Sequence, residues 1–379
     1  MIHVVIGTKA QLIKMGPLMD LLEREGMPWN FIFTGQHHET IRDLRENFNV
    51  RDPDVILHEG KDIKSIPAMA LWIVKVLFQS LRQRRRIFQE DRKGIVLVHG
   101  DTFSCLLGAL LGRLHSHRVA HVESGLRSFD LFHPFPEEFV RILTFYLAHI
   151  YYCPGSWAVE NLRKFRGEKI DTLANTLLDS LRLAKEKESA IEIALPNEPF
   201  CVFSTHRFEN VFRTETLIRI VEIAELIAER LPLLFILHPP TRRQLEKRGL
   251  MERLSRNPNI ELRPRYDYFS FIKLVSKSEF LATDGGSNQE ECHYLGKPCL
   301  LLRMRTERRE GLGETAVLSE FDGEKIDAFL RIYTALKPAP NRDLLFPSRA
   351  ILDDLKRRLA NPPSIPESAA RIAPDVASR

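Results

Sequence analysis

The stretch from Gly94 to Arg141 leaves the chain few ways to fold. It opens with Gly-Ile-Val-Leu-Val-His-Gly-Asp-Thr, crosses a helix-like segment, and returns through Arg-Val-Ala-His-Val-Glu-Ser-Gly-Leu-Arg. Two short β-branched runs, 95–98 and 119–122, each end in a polar cluster that holds a carboxylate. Between them, Leu106, Leu107, Ala109, Leu110, Leu111 and Leu114 crowd apolar surface onto one helix. This is the signature of a βαβ unit with buried parallel strands. In open parallel sheets the ligand lies outside the carboxyl ends of the strands. Asp101 and Glu123 fall at two such ends, and Glu137 follows on the next loop, so three carboxylates are aimed at one crevice.

Strand-like and helix-like segments alternate on both sides of this unit. Residues 2–6 read as a strand that Gly7 and Thr8 turn into a helix starting near Lys14. A strand at 29–34 ends in Gly35-Gln36-His37-His38. A helical stretch from Thr40 leads to a weak strand at 55–57 and an amphipathic helix over 66–88. After Glu137 a helix runs to about His149, and Tyr151-Tyr152-Cys153 reads as the last strand of a doubly wound parallel sheet. A helix at 156–165, a connector around 171–175 and a charged helical segment at 184–194 follow. The alternation then restarts, with strands at 200–204, 233–237, 260–262, 279–283 and 299–302, and helices at 214–230, near 241–248, from Asp267 and at 288–295. The expected organisation is one αβα domain over 1–170, a second over 171–362, and a loose tail over 363–379.

Bulk composition excludes several classes. At 379 residues, 44% hydrophobic and 28% charged, two globular domains are the default. The longest apolar stretch, 68–78, is interrupted by Lys75 and is shorter than the roughly 18 residues of a spanning helix. Nor does the chain open on a basic lead followed by an apolar core. The five cysteines are scattered without paired spacing, which indicates reduced thiols, no metal site and a cytoplasmic protein. The net charge of +5 has its densest source in Arg82-Gln-Arg-Arg-Arg86. That run ends a helix, where cations suit the dipole. No aromatic platform accompanies it, so no nucleic-acid partner is expected.

Further motifs could carry chemistry. Asp284-Gly-Gly-Ser-Asn-Gln-Glu-Glu291 follows a strand and opens a helix. Unpaired amides there, with Gly285 and Gly286 allowing close approach and Ser287 beside them, suit a diphosphate. Glu291, one turn inward, could accept two ribose hydroxyls. The same residues also read as a tight turn with an acidic first helical turn. Lys9 and Lys14 lie at another strand–helix entry that lacks the glycines of a phosphate loop or a dinucleotide fingerprint. Alone, Lys14 is an exposed helix residue. His206 and Arg207 follow the first strand of the second half, where an imidazole could carry a proton or meet an anion; His238 is placed similarly. Pro136-Glu137-Glu138 also reads as ordinary helix capping. Glu123 is harder to dismiss, because a carboxylate directly after a buried strand needs a partner, for which Arg127 is the expected residue.

Taken together, Gly-Thr-Lys-Ala-Gln-Leu-Ile-Lys-Met (7–15), Thr-Gly-Gln-His (34–37), His-Gly-Asp-Thr (99–102), His-Val-Glu-Ser-Gly-Leu-Arg (121–127), Pro-Glu-Glu (136–138), His-Arg (206–207), Gln-Glu-Glu (289–291), Leu-Gly-Lys-Pro (295–298) and Thr-Glu-Arg (306–308) resemble, in order, the UDP-N-acetylglucosamine 2-epimerases. The resemblance implies an α/β glycosyltransferase-B fold, two Rossmann-like domains facing a cleft. It implies Asp101, Glu123, Glu137 and His206 as catalytic residues, and Lys9, Lys14, Phe271, Gly285, Gly286, Ser287, Glu291 and Arg308 around the UDP-sugar. The implied chemistry removes the C2 proton as UDP leaves C1, then re-adds UDP as a proton returns to the other face. It needs no cofactor, matching the missing dinucleotide fingerprint. A homodimer is the family expectation.

This chain departs from the family's pattern at several places. Lys9-Ala10-Gln11 stands where the family usually has Arg-Pro-Glu, which turns a bidentate phosphate contact into a point charge. Asp-Gly-Gly-Ser-Asn replaces Asp-Ser-Gly-Gly-Ile at 284–288, and Tyr266 stands where a glutamine often meets uracil. Gln36, Arg207 and His238 match the site where a second substrate molecule activates some members, but Glu39 replaces its second glutamine. The rival readings are a hydrolysing epimerase that releases UDP and free sugar, a glycosyltransferase, and a non-catalytic UDP-sugar-binding protein.

Overall fold

The computed structural model describes residues 1–36, 41–60, 66–131, 135–336 and 344–361. His37, His38, Glu39 and the tail at 363–379 lie outside the described residues.

The first half alternates as expected: β1 (Ile2–Ile6), α1 (Lys9–Arg24), β2 (Trp29–Phe33), α2 (Ile41–Asn47), β3 (Val55–Ile56) and α3 (Ile66–Phe88). It continues with β4 (Ile95–His99), α4 (Phe103–Leu114), β5 (Arg118–Val122), α5 (Glu137–Leu147), β6 (Ile150–Cys153), α6 (Ser156–Asn161) and β7 (Glu168–Asp171). The seven parallel strands run in the order β3-β2-β1-β4-β5-β6-β7. Every residue of β1, β2 and β4 is buried, because helices cover both faces of the sheet. Strand order reverses between β1 and β4, which opens a crevice at their carboxyl ends.

Two expectations for this half are corrected. α1 starts at Lys9, not near Lys14, because Thr8 and Gln11 form a capping box that nucleates it earlier. Tyr151-Tyr152-Cys153 belongs to β6, which is not the last strand. β7 closes the sheet at its edge, where Glu168-Lys-Ile-Asp171 needs little apolar content because it covers no core centre.

The charged helix expected at 184–194 is in fact α7 (Leu177–Glu186), which buries Leu177, Leu178, Leu181 and Ala184. The second half then runs β8 (Cys201–Thr205), α8 (Phe208–Val211), α9 (Thr214–Ala228), β9 (Leu233–Leu237), α10 (Pro239–Lys247) and α11 (Leu250–Ser255). After these come β10 (Ile260–Pro264), α12 (Tyr268–Lys277), β11 (Leu281–Thr283), α13 (Gly286–Leu295), β12 (Cys299–Leu301), β13 (Ala316–Leu318) and α14 (Gly323–Ile332). The parallel order is β10-β9-β8-β11-β12-β13, and its reversal falls between β8 and β11.

A final helix, α15 (Pro347–Ala360), returns to the first half. Ile351, Leu352 and Leu355 join a core with Leu12, Met15 and Met19 of α1. Tyr152 donates its hydroxyl to Asp354 at 2.9 Å, tying that helix to β6. Tyr268, Phe269 and Ile272 of α12 enter the same core. No described helix is long and apolar enough to cross a membrane, and all five cysteines are free and buried.

Candidate active site

The carboxyl ends of β1, β4 and β5 build one wall. Gln11 clamps two of these ends together: it accepts from the Gly7 amide at 2.9 Å and donates to the His99 carbonyl at 2.8 Å. Glu123 follows β5 in a left-handed conformation with φ of 61°. A non-glycine residue there carries about 1–3 kcal/mol of strain, a feature concentrated at functional sites. Gly125, two residues on, has φ of 92°, and a Cβ there would meet the Ala158 carbonyl oxygen at 2.3 Å. The turn that aims Glu123 therefore tolerates no side chain at Gly125.

Arg127 is not the partner of Glu123. It pairs with Glu138 at 2.5 Å, while Glu123 receives Lys14 Nζ at 2.6 Å and Arg308 Nη2 at 2.7 Å. Glu290 of α13 closes the figure, 2.6 Å from Arg308 Nη1 and 3.4 Å from Lys14 Nζ. Two acids and two cations, all nearly inaccessible to solvent, thus join the halves across the cleft. Lys14 is buried, contrary to its reading as an exposed helix residue. Burial alone would raise the Glu123 carboxyl, but Lys14 and Arg308 more than offset it and hold it well below the usual carboxylate range.

Asp101 and Glu137 form a second acidic pair. Asp101 accepts from Arg141 at 2.6 Å, and Arg141 is braced by Glu138 at 3.1 Å. Glu138 also accepts from the Ser128 amide at 3.1 Å, so the brace is anchored at its far end. Glu137, the first residue of α5, has a buried Oε2 without a hydrogen-bond partner. Burial, then the neighbouring Asp101 charge, raises its pKa. One carboxylate bonded to a guanidinium beside another that favours its proton is the pattern of an acid/base pair.

The facing wall comes from the second half. Gly285 caps α13, so the Gly286 and Ser287 amides sit in its first turn, two residues earlier than expected. Asp284 anchors the loop after β8: its carboxylate accepts from the His206 amide at 3.0 Å, the Arg207 amide at 3.0 Å and Asn210 Nδ2 at 3.0 Å. His206 keeps 39% of its side chain exposed toward the cleft, and burial lowers its pKa. A Cβ on Gly285 would stand 3.2 Å from His206 Cε1, so the helix end and the imidazole are neighbours. Gln289 donates to the Arg308 and Glu310 carbonyls at 3.2 and 2.9 Å, holding the segment that carries Arg308.

The remaining candidates are more dispersed. Glu291 is buried and accepts from Asn288 at 2.7 Å; burial raises its pKa to about 7. Phe271 is half-buried on α12. Gln36 lies under α4, where it accepts from the Ser104 hydroxyl at 2.6 Å. Arg207 bonds the Asp284 carbonyl at 2.9 Å, and His238 stacks on His206 with centroids 4.6 Å apart. Sequence reasoning assigned no role to Glu290, Arg141, Glu138 or Asp284. Glu290 and Glu138 stood inside quoted motifs, and Asp284 opened the glycine turn. Arg141, one turn beyond Glu137 on the same helix, carried no signal of its own.

A family model described as UDP-N-acetylglucosamine 2-epimerase matches residues 19–342. The chain belongs to this family. The UDP-N-acetylglucosamine 2-epimerase of Methanocaldococcus jannaschii is 32% identical over 324 residues, covering 82% of this chain and 85% of its own. The crystal structure of UDP-GlcNAc 2-epimerase from Neisseria meningitidis bound to UDP-GlcNAc matches with a TM-score of 0.81 at 27% identity, covering 94% of this chain and 99% of that one. A Pseudomonas aeruginosa UDP-2,3-diacetamido-2,3-dideoxy-D-glucuronate 2-epimerase is 31% identical, covering 80% of this chain and 83% of its own. The glycosyltransferase-B fold implied by the motifs is the fold of this UDP-N-acetylglucosamine 2-epimerase family member.

Proposed function

We propose that this enzyme interconverts UDP-N-acetylglucosamine and UDP-N-acetylmannosamine by eliminating UDP and adding it back. The division of labour assigns acid/base residues to 1–170 and the nucleotide to 171–362. One observation carries the reading: Glu123, beside the Asp101–Glu137 pair, reaches across the cleft to Arg308, next to the α13 amides. Asp101 takes the C2 proton on one face while Glu137 holds one for the other, since inversion needs a separate group on each face. Lys14, Arg308, His206 and the amides of Gly286 and Ser287 stabilise the departing diphosphate. Glu291 accepts the ribose hydroxyls, and Phe271 flanks the base. Glycosyl transfer to an acceptor would have no use for acid/base groups at C2.

In deuterated water, the UDP-sugar should acquire deuterium at C2, and Asp101→Asn or Glu137→Gln should slow that exchange about 100-fold or more. Absence of exchange with any UDP-N-acetylhexosamine refutes the proposal. Free sugar accumulating in step with free UDP would select the hydrolysing reaction instead. The product would feed surface-polysaccharide synthesis in the cytoplasm, a compartment in keeping with five unpaired cysteines. We also propose a homodimer formed through α3, whose Leu71, Val74, Phe78 and Leu81 make one exposed stripe at 71%, 49%, 69% and 57%. A two-fold axis would bury that stripe against its own copy.

A further inference from the structure

The residues that follow β8, β9 and β10 form a row along one edge of the cleft. Strand register pairs Thr205 with Leu237 and Leu237 with Pro264. His206, His238 and Arg265 therefore emerge side by side from three adjacent strands. The two imidazoles already stack, and the charges of Arg265 and of Lys9, from the opposite half, both bear on His238.

Arg265 differs from the other arginines of this wall in its partners. Arg308 is matched by Glu123 and Glu290, Arg303 by Glu307, and Arg207 by Glu209 and Glu307. Arg265 makes no ion pair or hydrogen bond with any described residue, and desolvation lowers its basicity. Its side chain is nonetheless exposed to solvent. A diphosphate arriving at Lys14 and Arg308 meets cations that resident carboxylates already neutralise. At Arg265 it displaces nothing.

The first half, meanwhile, presents an ammonium at Lys9 where the family resemblance leads one to expect a guanidinium. An ammonium is a point charge; a guanidinium offers a planar fork that fits phosphate oxygens in pairs. We propose that Arg265 supplies this fork from the opposite wall and binds the diphosphate of the substrate nucleotide, replacing across the cleft the contact geometry that Lys9 lacks. The inference rests on the reading of the cleft as a UDP-sugar site.

UDP and uridine binding to wild type, Arg265→Ala, Arg265→Lys and the double variant Lys9→Arg/Arg265→Ala test it, by calorimetry for UDP and saturation-transfer NMR for uridine. Arg265→Ala should weaken UDP binding at least tenfold and leave uridine binding unchanged. Arg265→Lys should recover only part of the loss, and Lys9→Arg/Arg265→Ala should recover more than Arg265→Ala alone. In turnover, Arg265→Ala should raise KM more than it lowers kcat. Equal UDP affinity in wild type and Arg265→Ala overturns the inference, as does a parallel loss of uridine binding, which would signify a displaced α12 loop. A loss confined to a second, weaker UDP site also overturns it, by assigning Arg265 to a different nucleotide molecule. Wild type that binds UDP without C2 exchange would refute the epimerase reading and leave this inference standing.

Discussion

Replacing Glu291 with glutamine should make the protein more stable in alkaline solution while weakening its hold on UDP. Glu291 is 4% exposed. Burial chiefly, opposed by the Asn288 bond and reinforced by Glu290, raises its carboxyl from 4.5 to about 7. Between those values the folded protein retains a proton that the unfolded chain has released. The stability this provides is complete below pH 4.5 and is lost as pH rises through 7. At about 1.4 kcal/mol per pH unit, the gap amounts to about 3 kcal/mol by pH 8.5. Glutamine resembles the protonated acid and can still accept from Asn288. The variant should therefore match wild type near pH 5. At pH 8.5 its melting temperature should be higher, by about 6–12 °C at 2–4 °C per kcal/mol. Thermal melts at the two pH values, with UDP calorimetry alongside, measure both arms. Wild-type UDP affinity should rise with pH through 7, because the ribose hydroxyls donate to the ionised carboxylate, and the variant should lose that dependence. An equal temperature shift at both pH values, or a less stable variant at pH 8.5, refutes the reasoning.

Three other outcomes are expected. Arg141→Leu removes the guanidinium from Asp101 and should lower kcat about 100-fold, with Arg141→Lys partly rescuing it, as C2 exchange kinetics would report. Asp354→Ala leaves the Tyr152 hydroxyl buried without an acceptor and should lower stability by about 1–3 kcal/mol in urea titration; Tyr152→Phe, which removes only the donor, should have a smaller effect. Light scattering should find wild type at twice its 43.8 kDa chain mass, and Leu71→Asp/Phe78→Asp should halve the measured mass while the protein stays folded by circular dichroism.

The strand scaffold was legible because buried parallel strands leave an unmistakable apolar run that stops at a polar turn. Residues 66–88 form the helix α3 that their periodicity indicates. Where a segment buries little, that signal fades. β7 holds Ile170 as its one apolar residue, and the charge run after Ala184 drew the helix assignment away from the apolar face of α7. The positions of the acids were legible for the same topological reason, since each follows a strand or opens a helix. Their partners were not. Arg127 stands four residues from Glu123, whereas Lys14 and Arg308 stand 109 and 185 positions away. Nearness along the chain carries no information about which cation a folded cleft delivers to a carboxylate.

The return of α15 to the first sheet bears on how the enzyme can move. The polypeptide passes between the halves twice, once after β7 and again before α15. With Ile351, Leu352 and Leu355 of α15 packed among residues of α1 and α7, the halves are joined at two places, which favours a swing of one half against the other over sliding or twisting. Ligands would then enter and leave by a rocking of one half against the other, and each closure would bring Glu123 back to the same guanidinium.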